Sequence, residues 1–233
     1  MQNPGDKEAT DILDMKLDKV VSLIRGKKGS VVKLTIIPAG TDERKVISIT
    51  RDVVKLEDQL AKGYIIERQR DGKREKLGII KLPGFYDKCS SHCRILLERF
   101  NKEKVDGVVL DLRHNGGGIL QEAVNLAGLF ITRGPVVQIK DYRGRQRVMS
   151  DVNINVTYNG PLVVAVSHMS ASASEIVAAA LQDHGRAVIV GSKATHGKGT
   201  VQQLLPLNRS FIANLAEDSG QLKFTISKFY RVA

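Results

Sequence analysis

"PLVVAVSHMSASASEIVAAALQDHGRAVIVGS", residues 161–192, decides the fold. It opens with an apolar, β-branched run, passes through a turn of small residues into the helix-like "SEIVAAALQDHG" (174–185), and ends in a second apolar run, "RAVIVGS" (186–192). This order predicts a strand, a helix and a strand. Strands this continuously apolar, joined through a helix, run parallel and are buried on both faces.

The same alternation extends in both directions. Upstream come a strand "LGIIKLPG" (77–84), a helix ending at Phe100, a strand "VDGVVLDLR" (105–113), a triple-glycine turn, a helix "ILQEAVNLAGLF" (119–130) and a strand "GPVVQIKDY" (134–142). A hairpin-like "YRGRQRVMS" (142–150) follows, and beyond residue 192 come the strands "TVQQLLPL" (200–207) and "QLKFTISKFYRV" (221–232). The expected class is therefore α/β, a largely parallel sheet covered by helices. In such sheets function gathers at the carboxyl ends of the strands. Three loops fall there: "RHNGGG" (113–118), "SHMSASASE" (167–175) and "SKATHGKG" (192–199). Before this region, a helix-like "DMKLDKVVSLIRG" (14–26) and two strand-like runs, "SVVKLTIIPAG" (30–40) and "RKVISITR" (44–51), read as a small domain. The charged "QRDGKREK" (69–76) reads as a connector.

With 233 residues, 42% of them hydrophobic, the chain can bury one substantial core and a smaller appendage. The formal charge of +11 would suit a polyanion if it were concentrated, but the basic groups are dispersed. Aromatic residues are 5% and tryptophan is absent, so platforms for stacking bases are scarce and no nucleic-acid partner is expected. No apolar run has the length of a bilayer span, and the start "MQNPGDKEATD" lacks the features of a signal peptide. Cys89 and Cys93 sit with Leu96 and Phe100 on one apolar helical stripe, which makes them core residues. No cofactor and no metal is expected.

"VGSKATHGKGTVQ" (190–202) invites comparison with a phosphate-binding loop. That loop needs four residues between its first glycine and the Gly-Lys pair, and a hydroxyl residue after the lysine. Here five residues separate Gly191 from Gly197, and Gly199 follows Lys198. A strand rather than a helix then follows, so no nucleotide site is expected.

Closely spaced serines at a strand-to-helix turn suit a nucleophile presented beside free backbone amides. Ser172 with Glu175 also matches the capping box S-x-x-E, and Ser170 and Ser174 fit a tight turn. Three consecutive glycines, Gly116 to Gly118, allow backbone amides to approach a developing oxyanion. The base is open between two chemistries. His114, His168 and His196 lie in the three loops, yet no aspartate is placed to orient any of them. An amine walled off from water sheds its proton more readily, and Lys198, set between glycines before an apolar strand, is the alternative.

The stretches "SASASEIVAAALQDHGRAVIVG", "GKGTVQQLLPLNR", "IIKLPGFY" and "VVLDLRHNGGGILQEAVNLAGLF" together resemble the C-terminal processing peptidases, in their tail-specific branch. The similarity extends to "LDKVVSLIRGKKGSVVKLTIIPAG", "VKLED" and "KFYRV", nearly the whole chain. The resemblance implies a ClpP/crotonase-like βαβ core with a partial PDZ-like segment at the N-terminus. Residues 1–52 would be the C-terminal half of a PDZ-like domain, 53–76 a connector, and 77–233 the protease core. It implies a serine endopeptidase of the bacterial envelope or periplasm with a Ser-Lys pair: Ser172 as nucleophile, Lys198 as base, Gln202 positioning the lysine, and the amides of Gly118 and Ala173 as the oxyanion hole. The partners it implies are protein or peptide substrates with apolar C-terminal tails, and an adaptor protein. Lys198 and Gln202 would lie about 13 Å apart on a straight strand, so the segment is expected to bend.

Two departures accompany the resemblance. The loop "SKATHG" is one residue longer than the usual family spacing, and the strand and carboxylate-binding loop of a PDZ domain are missing, which reads as a fragment with weakened tail binding. Two other functions keep parts of the pattern: a crotonase-like acyl-CoA enzyme and a catalytically silent peptide-binding fragment.

Overall fold

The structure, a computed structural model, describes residues 1–6, 8–53, 59–207 and 220–232. It divides into two units, Met1–Glu57 and Asp58–Ala233.

The first unit holds helix α1 (Leu17–Ile24) and an antiparallel pair, β1 (Val31–Ile36) and β2 (Lys45–Thr50). A helix ends with carbonyls that lack intrahelical partners. Here the Arg51 guanidinium donates to the carbonyls of Ile24 and Leu23, and also to Ser30 Oγ and Asn3 Oδ1. One side chain thus ties the helix end to the strand pair. Val32 is the fully buried residue of this pair.

The second unit contains two sheets. The first has five strands in the order β3 (Lys62–Arg70), β4 (Lys73–Lys81), β5 (Gly107–Asp111), β8 (Leu162–Val166) and β9 (Val188–Gly191). β3 and β4 form an antiparallel hairpin, and β4, β5, β8 and β9 run parallel. Helices α2 (Cys89–Lys102), α3 (Leu120–Ala127) and α4 (Ala173–Asp183) supply the crossovers, with α3 touching both α2 and α4. Ile80, Leu110 and Val164 of the central strands are wholly buried, together with Leu97, Phe100, Leu126, Val177 and Leu181 of the helices, to within 2% exposure. Gly78 on β4 makes room for one of them, since a Cβ there would sit 2.5 Å from the Phe100 ring. Burial of both faces explains why β5 and β8 read as unbroken apolar runs.

Two features depart from the sequence reading. The charged stretch at residues 69–76 is the end of the β3–β4 hairpin, where Arg68 and Glu75 pair across the strands. And β6 (Gly134–Asp141), β7 (Gln146–Asp151), β10 (Thr200–Pro206) and β11 (Gln221–Tyr230) leave the parallel sheet to build a second, antiparallel sheet in the order β10-β11-β6-β7. The hairpin expected at residues 142–150 is present: a tight turn at residues 142–145 returns β7 onto β6.

Candidate active site

The three loops noted at strand ends are hydrogen-bonded to one another. Ser170 is wholly buried; its hydroxyl donates to the Leu112 carbonyl at 2.7 Å and accepts the Ser167 amide at 2.9 Å. Ser174 is also wholly buried, its hydroxyl donating to the Asn115 carbonyl at 2.8 Å. Both are committed to structure. Ser172, between them, is half-buried and stands at the N-cap of α4 with φ 56° and ψ −113°. Such a backbone costs a non-glycine residue about 1–3 kcal/mol and is characteristic of strand-to-helix turns that hold up a nucleophile.

The glycine loop packs directly on this turn. A Cβ at Gly117 would lie 2.8 Å from both Ser172 Cβ and the Ala171 carbonyl, and one at Gly118 would lie 2.3 Å from the Phe85 carbonyl. Gly117 and Gly118 also hold φ of +104° and +143°, while Gly116 faces open space. Asn115, wholly buried, governs the amides of this loop. Its Nδ2 donates to the Leu82 carbonyl at 3.0 Å, its Oδ1 accepts the Gly117 amide at 2.9 Å, and its carbonyl accepts the Ala171 amide at 3.1 Å. The Gly117 N–H is thereby spent. Among the described residues the N–H groups of Gly118 and Ala173 have no partner.

Glu175 joins the serine turn to the lysine loop. Its Oε2 accepts the amides of Ser172 at 2.7 Å and Lys198 at 3.0 Å; its Oε1 accepts the Thr195 hydroxyl at 2.8 Å and the Gly197 amide at 2.6 Å. With both oxygens so engaged, Glu175 makes no ion pair with the Lys198 amine, and among the described residues no other carboxylate does. The sequence showed Glu175 only as a capping residue. Its other partners lie 20 or more positions away, beyond the reach of a local motif.

A single cavity is lined by Ser172, Ala173, Gly118, Lys198 and Gln202, all five residues nominated for the site, together with Val201, Gln203, Leu204 and Phe229. Lys198 is half-buried and Gln202 exposed, and no hydrogen bond joins their side chains among the described residues. Gly197 has φ +83°, and the β10–β11 register is interrupted at Val201 and Gln202, so the lysine loop and the strand meet at an irregularity. No histidine lines the cavity: His114, His168 and His196 are exposed, His92 is hydrogen-bonded to the Tyr86 hydroxyl, and His184 to the Pro135 carbonyl.

Cys89 and Cys93 are buried free thiols in the core, with Leu97 and Phe100 completing their helical stripe. Burial pushes both thiols up, Cys93 to about 12. Such thiols are inert.

The model of peptidase family S41 matches residues 76–233. A tail-specific protease of Haemophilus influenzae is 44% identical over 99% of this chain and 34% of its own length. A carboxyl-terminal-processing protease of Picosynechococcus is 36% identical over 95% of this chain and 50% of its own. Among solved structures, the photosystem II D1 C-terminal processing protease superposes with a TM-score of 0.62 at 27% identity, covering 95% of this chain and 56% of that one. The chain thus spans a third to a half of the length of these curated relatives.

Proposed function

The chain belongs to peptidase family S41, the C-terminal-processing serine proteases, and from that premise we propose that it is a Ser-Lys endopeptidase acting on proteins that carry an apolar C-terminal tail. Lys198 takes the proton of the Ser172 hydroxyl as the oxygen attacks the scissile carbonyl. The amides of Gly118 and Ala173 receive the oxyanion, each donor contributing about 3–4 kcal/mol to the transition state. Lys198 then passes the proton to the leaving amine, and water hydrolyses the acyl-enzyme by the reverse sequence. Gln202 positions the lysine side chain.

The observation that carries this reading is the convergence of all five residues on one cavity in which two amides have no partner among the described residues. That no carboxylate among the described residues pairs with the Lys198 amine supports Lys198 as the base. In the same reading the parallel strands and their helices form a ClpP/crotonase-like core, residues 1–52 are PDZ-like, and the protein works in the bacterial envelope or periplasm, where an adaptor delivers substrates.

Degradation of a loosely folded protein, with and without an apolar C-terminal tail, tests the reading. Ser172→Ala and Lys198→Ala should each lower cleavage by at least about a thousandfold, because the two act as a unit. Undiminished cleavage by Ser172→Ala overturns the nucleophile. Equal rates on tailed and untailed substrates overturn the tail preference.

A further inference from the structure

Asn115 is wholly buried, and each of its polar atoms has a partner. Its main chain serves the serine turn. The carbonyl accepts the Ala171 amide at 3.1 Å and the Ser174 hydroxyl at 2.8 Å, which pins the chain on both sides of Ala173. Its side chain serves the glycine loop. Nδ2 donates to the Leu82 carbonyl while Oδ1 accepts the Gly117 amide, so one side chain spans the gap between that loop and the segment at residues 82–85. At the other end of the segment, Phe85 donates its N–H to the Gly117 carbonyl at 2.9 Å.

A trans peptide is planar, and its carbonyl and N–H point in opposite directions. With the Gly117 carbonyl turned to Phe85, the N–H of Gly118 in the same peptide is turned away from Phe85, and Gly118 lines the Ser172 cavity. Local sterics do not secure this orientation. Rotating the Gly117–Gly118 peptide by half a turn changes ψ of one glycine and φ of the next, and glycine tolerates both. The rotated peptide would offer an oxyanion a carbonyl oxygen in place of a donor. Hydrogen bonds from outside the loop therefore decide its orientation, and the Asn115 side chain joins the two segments that make them.

We propose that Asn115 is a positioning residue for the hydrolysis, its side-chain amide holding the Gly117–Gly118 peptide with the Gly118 N–H directed at the oxyanion. This rests on the peptidase reading and adds to it a residue that touches neither substrate nor reacting atoms. The position calls for an uncharged group that donates and accepts at once in a dry place, which asparagine meets and its isosteres aspartate and leucine do not.

Asn115→Ala leaves the Ala173 donor in place and frees the other to turn. Loss of one oxyanion donor lowers kcat by about 10²–10³, so kcat should fall by that factor, with KM within about threefold, on a peptide that the parent cuts. A peptide aldehyde reads the same donor without turnover. Ser172 Oγ bonds to its carbon as the hydroxyl proton passes to Lys198, and the aldehyde oxygen becomes the anion. Affinity for the aldehyde should fall about a hundredfold, and affinity for the matching alcohol, which forms no adduct, should stay within about threefold. An unchanged kcat and aldehyde affinity, or equal losses for aldehyde and alcohol, overturns the proposal and leaves the peptidase reading standing. Failure of both Asn115→Ala and Asn115→Ser to melt cooperatively also overturns it, since the side chain then belongs to the fold alone. Should the parent cut no peptide or protein at all, both readings fall together.

Discussion

The backbone amides of Ser172 and Lys198 converge on a single oxygen atom, Oε2 of Glu175, at 2.7 and 3.0 Å. The proposed nucleophile and base therefore share one carboxylate, although 26 positions separate them in the chain. Hydrogen bonds to a charged group are worth about 1.5–3 kcal/mol each. Glu175→Gln keeps the shape and weakens these bonds. It should lower kcat by about 10- to 100-fold with little change in KM, and Glu175→Ala should lower it further. Steady-state kinetics on a peptide substrate decides the matter.

The three glycines of the proposed oxyanion loop should respond unequally to alanine. At Gly116 an added Cβ meets open space, and activity should stay within a few-fold of the parent. At Gly117 the same methyl group collides with the Ser172 turn and imposes a strained φ, so cleavage should fall by at least about a hundredfold while the cooperative unfolding of the chain persists at reduced stability. Parallel rate and melting measurements on the two variants make the comparison.

Glu122, on α3, is buried and accepts the Ser90 amide at 2.8 Å, next to Cys89. Burial pushes its carboxyl up, but hydrogen bonds from Ser90, Cys89 and Lys88 outweigh burial and hold it below the ordinary glutamate value of 4.5. A depressed carboxyl stabilises the fold at pH above its unfolded value and loses that contribution as pH falls through the folded one. The stability difference between the parent and Glu122→Gln should be largest at pH 7 and shrink by pH 3. A difference in urea midpoint that is equal at both pH values would contradict the assignment.

The sequence made the parallel strands and the serine turn legible because each is a local signal: period, apolar run, turn composition. The second sheet was not legible in that way. β6 pairs with β11 across some 90 positions, as in Ile139 with Phe229, and nothing in either strand's own residues announces which sheet it will join. Asn115 shows the same limit inside the site. The sequence marks a polar residue before three glycines, but its contacts with Leu82 and Ala171 exist only once three strand ends have been brought together. Local grammar located the loops; tertiary packing assigned their internal labour.

Ser172 is held at φ 56°, a conformation that glycine adopts freely. Ser172→Gly should therefore melt at a higher temperature than Ser172→Ala, both being inactive, as paired calorimetric scans would show. Were selection for hydrolysis ever lifted from this lineage, drift at that codon would run downhill toward glycine.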